Sequence, residues 1–240
     1  MKKLVDICSK INIEISDKQI EQFSKYYEML IEKNKVMNLT AITEKDDVIV
    51  KHFIDSIAII PYLKEKNILS DNKIKIIDIG TGAGFPGIPL KIMLPEVQFT
   101  LLDSLNKRVG FLNEVISELE LEKIEAIHGR AEDIAVDKSY REKYDLCVSR
   151  AVANLATLSE YCLPFVCVDG YFISYKAGDS EEEINSSKNA IKILGGKINK
   201  VEDFILPESD AQRVFVMIKK IGSTDKKYPR KAGIPSKKPL

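Results

Sequence analysis

The chain has 240 residues, of which 45% are hydrophobic and 30% charged, and its formal net charge is zero. A chain of this size buries enough apolar surface to fold without disulfides, and its composition excludes disordered and fibrous proteins. Its longest apolar run, residues 57–63, is far shorter than the roughly 20 residues of a membrane span. We therefore expect a cytoplasmic protein. The four cysteines have no C-x-x-C spacing and only two histidines accompany them, so no metal site is predicted.

The predicted elements change period along the chain. A capping box at residues 16–19 opens a first helix, and a second helix begins after Thr43 and ends before Pro61. Strands are then predicted at 75–80, 97–104, 124–128, 144–151, 170–176, 196–206 and 213–221. Helices are predicted between them at 86–94, 106–119, 154–166 and 180–194. This alternation indicates a doubly wound, mostly parallel α/β sheet, and the last two strands, which lack an intervening helix, indicate an antiparallel edge.

The same pattern divides the chain into three parts. We expect an N-terminal helical cap over residues 1–65, an α/β domain over 66–222 and a basic tail over 223–240. From Lys219 onward there are eight Lys and Arg residues against the single acid Asp225. Such a tail is typical of a flexible segment that binds phosphates. The alternative is a structural strap anchored by Tyr228 and Ile234.

A glycine-rich turn, DIGTGAGFPG, follows the first predicted strand. Glycines allow positive φ and close approach of a ligand, here at the edge where doubly wound folds bind theirs. The spacing of Gly82, Gly84 and Gly87, with Asp103 about 20 residues later, fits a dinucleotide as well as S-adenosylmethionine. Asp78 favours S-adenosylmethionine, because a carboxylate there would repel a pyrophosphate but could hold the α-amino group of a methionine moiety. Aspartate at Gly82 or Gly84 is expected to abolish donor binding and to leave the fold largely intact.

Two further strand ends carry polar loops. Residues 128–133 (HGRAED) would lie at the height of an adenine ring, and residues 149–154 (SRAVAN) where a methyl acceptor is presented. The second loop lacks the Pro-Pro-aromatic motif of amino-group methyltransferases, so we expect an acceptor atom with its own lone pair. No Ser-His-Asp or Cys-His arrangement can be assembled. His52, with Asp55 and Ser56 on one side of the second helix, is a candidate substrate contact, although helix-surface hydrogen bonding explains it equally well.

Six stretches of the sequence resemble one family. They are residues 38–40 (NLT), 52–56 (HFIDS), 78–91, 102–108 (LDSLNKR), 149–151 (SRA) and 227–240. Together they closely resemble the bacterial small-subunit ribosomal RNA methyltransferase G family, also called glucose-inhibited division protein B. The resemblance implies the class I S-adenosylmethionine-dependent methyltransferase fold with a seven-stranded sheet. It also implies S-adenosylmethionine as donor, no metal, and methylation of N7 of guanine 527 in the 530 loop of 16S rRNA.

The resemblance also implies which residues bind the donor. In that family, the positions matching Gly80 and Phe85 in the glycine loop, Ala131 and Glu132 in the adenine loop, and Arg150 after the fourth strand contact it.

Roles for other positions follow from the same resemblance or from their charge. Asp103 matches the ribose-binding acid of class I methyltransferases. Lys51 places a cation beside His52, and these two residues, with Arg230 and Lys231 in the tail, are the candidate RNA contacts.

The chemistry of guanine N7 agrees with the missing catalytic dyad. N7 is unprotonated at neutral pH, so it can attack a methyl group without losing a proton and no general base is expected. The partner is expected to be 16S rRNA, the 30S subunit or its assembly intermediate, with no membrane and no obligate protein partner. The alternatives are a methyltransferase acting on another RNA or on a small molecule, an NAD-binding oxidoreductase, and a non-catalytic RNA-binding module.

Overall fold

The N-terminal part of the chain is helical. The computed structural model describes residues 1–69, 73–150 and 152–240. Its first helices are α1 Lys2–Lys10, α2 Asp17–Met37, α3 Lys45–Val48, a π-helical stretch Ile49–Ile54, α4 Asp55–Ile57 and α5 Ile60–Glu65. The predicted capping box is confirmed: the hydroxyl of Ser16 accepts the amide of Gln19, and the Gln19 side chain accepts the amide of Ser16.

Two N-terminal features differ from the sequence prediction. Helix α1 was not predicted, because its apolar side shows only three buried residues among lysines and an aspartate: Leu4, Ile7 and Cys8. Helical structure also continues beyond Pro61, where the sequence suggested an end. Pro61 lies in the first turn of α5, where its missing N–H breaks no helical hydrogen bond.

The remaining elements form a doubly wound sheet. The strands are β1 Lys75–Ile79, β2 Gln98–Asp103, β3 Ile124–His128, β4 Tyr144–Arg150, β5 Val166–Ala177, β6 Gly196–Ile205 and β7 Gln212–Lys220. The helices between and after them are α6 Gly87–Met93, α7 Asn106–Glu118, α8 Ala131–Ile134, α9 Leu155–Cys162, α10 Glu181–Ile193 and α11 Ile234–Lys237, with a 3₁₀ turn at Leu163–Phe165.

The sheet order is β3-β2-β1-β4-β5-β7-β6, and among the described strands β7 alone runs opposite to the others, so it pairs antiparallel with both β5 and β6. The predicted α/β class, the mostly parallel sheet and the antiparallel edge are therefore confirmed. The order reverses between β1 and β4, which pair directly, so their carboxyl ends form the crevice where such sheets bind ligands. Because β7 is antiparallel, its first residues lie at this same edge.

Each face of the sheet has its own core. On one face, Phe23, Leu30 and Phe53 of the N-terminal helices share a core with Leu101 and Ile173 of the sheet. On the other face, α9 and α10 cover a second apolar cluster that reaches the buried Tyr228 near the C-terminus. The N-terminal helices thus cover the sheet directly, and they bring Lys51 and His52 to the carboxyl edge of the strands.

Two loops at that edge can be compared with the sequence prediction. The segment predicted as a polar loop, residues 128–133, contains the short helix α8. The predicted fourth strand ended at Ala151, which lies outside the described residues. Among the residues that the model describes, no helix is both long and apolar enough to cross a membrane.

Candidate functional site

The glycine loop connects β1 to α6 and is fastened to the end of β2. The amides of Gly80 and Thr81 both donate to the carbonyl of Leu102, at 2.8 and 3.2 Å. The amide of Gly82 donates to Asp103 Oδ2 at 2.8 Å, while Asp103 Oδ1 accepts the amide of Leu105 at the start of α7. Asp103, which is 2% exposed, therefore fixes the loop and the next helix relative to each other.

Asp78 lies beneath this loop and is fully buried. Its Oδ2 accepts the amide of Gly87 at 2.8 Å, whereas its Oδ1 and the hydroxyl of Thr81 have no well-formed hydrogen bond among the described residues. Burial raises the pKa of Asp78 from 3.8 to about 7, although the Thr81 hydroxyl and the Gly87 amide oppose the rise. A buried carboxylate oxygen without a partner fits a site that receives a cationic group.

A cavity of about 330 Å³ opens over the ends of the first three strands; we call it the β1–β3 cavity. Its lining comprises Ile79, Gly80, Leu102, Ser104, Leu105, Gly129, Arg130, Ala131, Glu132, Val152, Tyr161, Gly233 and Ser236. Its size lies within the usual range for a ligand site, about 300–1,000 Å³. Three of the donor candidates line it, namely Gly80, Ala131 and Glu132. The other donor candidates are absent from this lining: Asp78, Gly82, Gly84, Phe85, Asp103 and Arg150.

A second cavity, of about 410 Å³, opens over the other half of the same edge; we call it the β4–β7 cavity. Its lining comprises Lys51, His52, Asp55, Arg150, Tyr175, Lys176, Ala177, Arg213 and Phe215. Arg150 therefore faces this cavity, and so do the candidate RNA contacts Lys51 and His52. The two cavities therefore lie on either side of the β1/β4 crevice.

One carboxylate organises the β4–β7 cavity. Asp55, which is 4% exposed, accepts Arg150 Nη1 at 2.7 Å through Oδ2 and Arg213 Nε at 2.9 Å through Oδ1. Charge-assisted bonds of this kind hold both guanidinium groups in fixed positions. Arg150 also lies over the ring of Phe85, at 5.2 Å from the ring centroid. Phe85 thereby connects this cavity to the glycine loop.

His52 is held as a neutral ring. Burial and the nearby Arg150 guanidinium lower its pKa from 6.5 to about 3. Arg150 Nη2 lies 3.4 Å from Nδ1, and a guanidinium can only donate, so Nδ1 accepts. The proton is then on Nε2, which donates to the Thr40 hydroxyl at 2.8 Å. This bond explains why Thr40, in the NLT stretch, accompanies His52.

Sequence reasoning missed Arg213 altogether. The residue stands at the start of an apolar strand, where it resembles a solvated strand end. The signal that could have found it was the predicted antiparallel edge, because the first residues of such a strand lie where the parallel strands end. Lys51, by contrast, was predicted and lines the cavity, with its ammonium 2.9 Å from Asp47.

The tail, residues 223–240, is folded onto the domain, which differs from the flexible segment that its composition indicated. Arg230 donates from its backbone N, Nε and Nη2 to the carboxylate of Glu160, which is fully buried. This pairing removes the support for Arg230 as an RNA contact, whereas Lys231 is exposed. Tyr228 is 9% exposed and anchors the tail as the strap alternative required, but Ile234, at 40%, does not.

The comparisons with known proteins agree with this geometry. Residues 19–212 match the family model described as GidB, rRNA small subunit methyltransferase G. The chain is 53% identical over 239 residues to "Ribosomal RNA small subunit methyltransferase G" of Acetivibrio thermocellus, covering 100% of this chain and 96% of that protein. It is 54% identical over 232 residues to the protein of the same name from Alkaliphilus oremlandii, covering 96% and 94%.

Solved structures show the same fold at low identity. M. jannaschii TYW2 in complex with AdoMet aligns with a TM-score of 0.52 and 16% identity, over 68% of this chain and 76% of that one. TrmN from Thermus thermophilus aligns with a TM-score of 0.53 and 12% identity, over 72% and 53%. The resemblance found in the sequence is therefore confirmed, and so is the class I methyltransferase fold. The chain belongs to the ribosomal RNA small-subunit methyltransferase G family and is an S-adenosylmethionine-dependent rRNA methyltransferase.

Proposed function

We propose that this chain methylates N7 of guanine 527 in the 530 loop of 16S rRNA, in the cytoplasm, on the 30S subunit or its assembly intermediate. The observation that carries the proposal is the pair of cavities on either side of the β1/β4 crevice. One is lined by the glycine loop and the adenine loop, and the other by cationic side chains. This division favours methyl transfer to a polyanion over the small-molecule and oxidoreductase alternatives.

The β1–β3 side fits the donor. S-adenosylmethionine supplies an electrophilic methyl group. Gly80, Ala131 and Glu132 line the cavity in which its adenosine part would lie, and the unpartnered Oδ1 of Asp78 would receive its ammonium group. Asp103 holds the glycine loop through Gly82, so we assign it the positioning of that loop in addition to the ribose.

The β4–β7 side fits the acceptor. Asp55 fixes Arg150 and Arg213, and guanidinium N–H groups that do not contact Asp55 remain for a guanine O6 or a phosphate. Lys51 adds a half-exposed cation at the rim, and the neutral ring of His52 forms part of the wall. No residue is required to remove a proton, because guanine N7 carries a free lone pair. These side chains therefore act by alignment and by excluding water.

The test uses 30S particles from cells that lack the enzyme. The protein should restore 7-methylguanosine at guanine 527, mapped by primer extension after cleavage at the modified base. Arg213→Ala should lower kcat/KM for the particle by about 10- to 100-fold, because the variant loses a charged hydrogen bond to the RNA. Its donor affinity should be unchanged. Lys188→Ala, on an exposed face of α10, is the control. Methylation at another base, or an equal loss of donor affinity in Arg213→Ala, would contradict the proposal.

The tail lysines extend the RNA surface in this proposal. Lys231, Lys237 and Lys238 are exposed, and residues 231–238 contain no Asp or Glu. Replacing all three by Ala should flatten the salt dependence of rRNA binding, with a log–log slope lower by about 2–3 because each phosphate contact contributes roughly 0.7–0.9. Donor affinity should stay the same. An unchanged slope would remove these lysines from the interface.

A further inference from the structure

The tail reaches the β1–β3 cavity. Gly233 and Ser236 both line it, together with Tyr161 of α9. The amide of Gly233 donates to Glu132 Oε1 at 3.0 Å, so the tail also holds the acidic residue of the adenine loop. Gly233 has φ +81°, a left-handed conformation that suits glycine, and α11 begins directly after it.

Several bonds keep the tail in this position. Arg141 donates through Nη1 to the carbonyl of Tyr228 at 2.9 Å and through Nη2 to that of Thr224 at 2.8 Å. The hydroxyl of Thr157 in α9 donates to the carbonyl of Pro235 at 3.1 Å, and Arg230 pairs with Glu160 of the same helix. These contacts involve buried or half-buried groups on both sides, so the cavity wall is a packed part of the domain.

We propose that residues 233–236 of the tail are a wall of the donor site, in which Gly233 positions Glu132 and Ser236 contacts the adenosine part of S-adenosylmethionine. This inference rests on the placement of the donor in the β1–β3 cavity. It gives the tail a second role besides RNA binding. The tail lysines Lys231, Lys237 and Lys238 are exposed to solvent, while the neutral Gly233 and Ser236 line the cavity.

Two variants test the wall. Ser236→Phe adds a ring to the cavity, and a chain that ends at Ala232 loses both wall residues but keeps Tyr228 and the Arg230–Glu160 pair. Each should raise the Kd for S-adenosylmethionine, measured by calorimetry, by about 10-fold or more. An increase of this size corresponds to the loss of one well-formed polar contact. Ser186→Phe, which makes the same substitution at an exposed position of α10 outside the cavity, should leave the Kd unchanged. The two Phe variants should melt near the parent protein. The chain that ends at Ala232 loses the Thr157–Pro235 hydrogen bond and should melt at a lower temperature, yet stay folded at the temperature of the titration.

Ser104→Phe, on the β2 side of the cavity, separates this inference from the placement it rests on. Loss of affinity in Ser104→Phe with none in the two tail variants would overturn the tail wall and keep the donor in this cavity. Unchanged affinity in all three variants would overturn both.

Proteolysis gives an independent readout. Saturating donor should slow tryptic cleavage after Lys231 at least 5-fold, because a contact between donor and tail stabilises the closed segment against cleavage. Equal cleavage rates with and without donor would contradict the wall.

Discussion

His52 lies face to face with Phe85, with ring centroids 4.5 Å apart and ring planes 17° from parallel. The pair joins the π-helical stretch of the N-terminal region to the glycine loop. Because burial and Arg150 lower the pKa of His52 to about 3, the ring is neutral at neutral pH.

This gives a prediction for pH dependence. The folded state resists protonation of His52, so its contribution to stability is complete above the ordinary pKa of 6.5 and is lost as the pH falls below it. The difference in unfolding free energy between wild type and His52→Gln should shrink by about 2 kcal/mol between pH 6.5 and 5. Denaturant unfolding at each pH measures it. His128→Gln, which removes the other histidine from an exposed position, should show no such trend; a similar trend there would contradict the assignment.

Asp78 should show the opposite pH dependence. Its pKa is raised to about 7, so the folded state disfavours the ionised form, and stability is lost as the pH rises from 3.8 toward 7. The unfolding free energy of Asp78→Asn, relative to that of wild type, should rise by about 1.4 kcal/mol per pH unit over that interval and level off above it. Donor affinity of the variant should fall at pH 8, because the ammonium loses its carboxylate.

Calorimetry supplies the control for Asp78. If the donor ammonium ionises this carboxyl, binding at pH 6 should release a proton, seen as a dependence of the binding enthalpy on the buffer. Asp78→Asn should abolish that release. No proton release from the wild type would place the ammonium elsewhere.

Gly82 and Gly84 should respond differently to alanine. A Cβ on Gly84 would lie 2.6 Å from Ile88 Cγ1 and 2.7 Å from the Tyr26 hydroxyl, whereas a Cβ on Gly82 meets nothing within 4 Å. We expect Gly84→Ala to cost about 3 kcal/mol of stability from overpacking and positive φ, and Gly82→Ala about 1 kcal/mol from φ alone. For Gly84→Asp we therefore expect a destabilised fold, which differs from the sequence-based expectation that the fold stays largely intact. Gly82→Asp keeps its predicted outcome, a folded protein without donor binding. Equal stability of the two alanine variants in urea would contradict this account.

Arg230 should prove a stabilising residue. Arg230→Ala leaves the fully buried carboxylate of Glu160 unpaired and should cost about 3–5 kcal/mol, visible as a lower midpoint of urea unfolding. Adding Glu160→Gln should recover part of the loss, because the uncompensated charge is gone. If the single variant unfolds like the parent and weakens RNA binding instead, Arg230 is an RNA contact after all.

The strands and the glycine loop were predictable because their signals are local. Short β-branched runs, a change to helical spacing and four glycines within a few residues all lie in short stretches of sequence. Asp55 was noticed beside His52, but its two partners could not be predicted from local pattern. Arg150 and Arg213 are 95 and 158 residues away along the chain. Their meeting depends on the N-terminal helices covering the sheet and on β7 running antiparallel.

The tail was misjudged for a related reason. The composition shows that the tail is positively charged, and a positive charge together with proline and glycine is typical of flexible segments. The groups that fold it are single distant side chains, among them Glu160 and Arg141, and neither has a local signature of this role. The acid Glu160 lies in a helix, Leu155–Cys162, that contains no other charged residue, and this was a hint that a cation has to come from elsewhere.

Eight consecutive residues, Lys231 to Lys238, carry both the cavity residues Gly233 and Ser236 and three exposed lysines. A phosphate backbone that holds those lysines restrains the same short segment that borders the β1–β3 cavity. Thermodynamic linkage then makes the effect reciprocal. If bound rRNA raises the affinity for the donor by a given factor, bound donor raises the affinity for rRNA by the same factor. If both proposals for the tail hold, the spent donor and the modified RNA share that segment after methyl transfer, and release of one should weaken binding of the other.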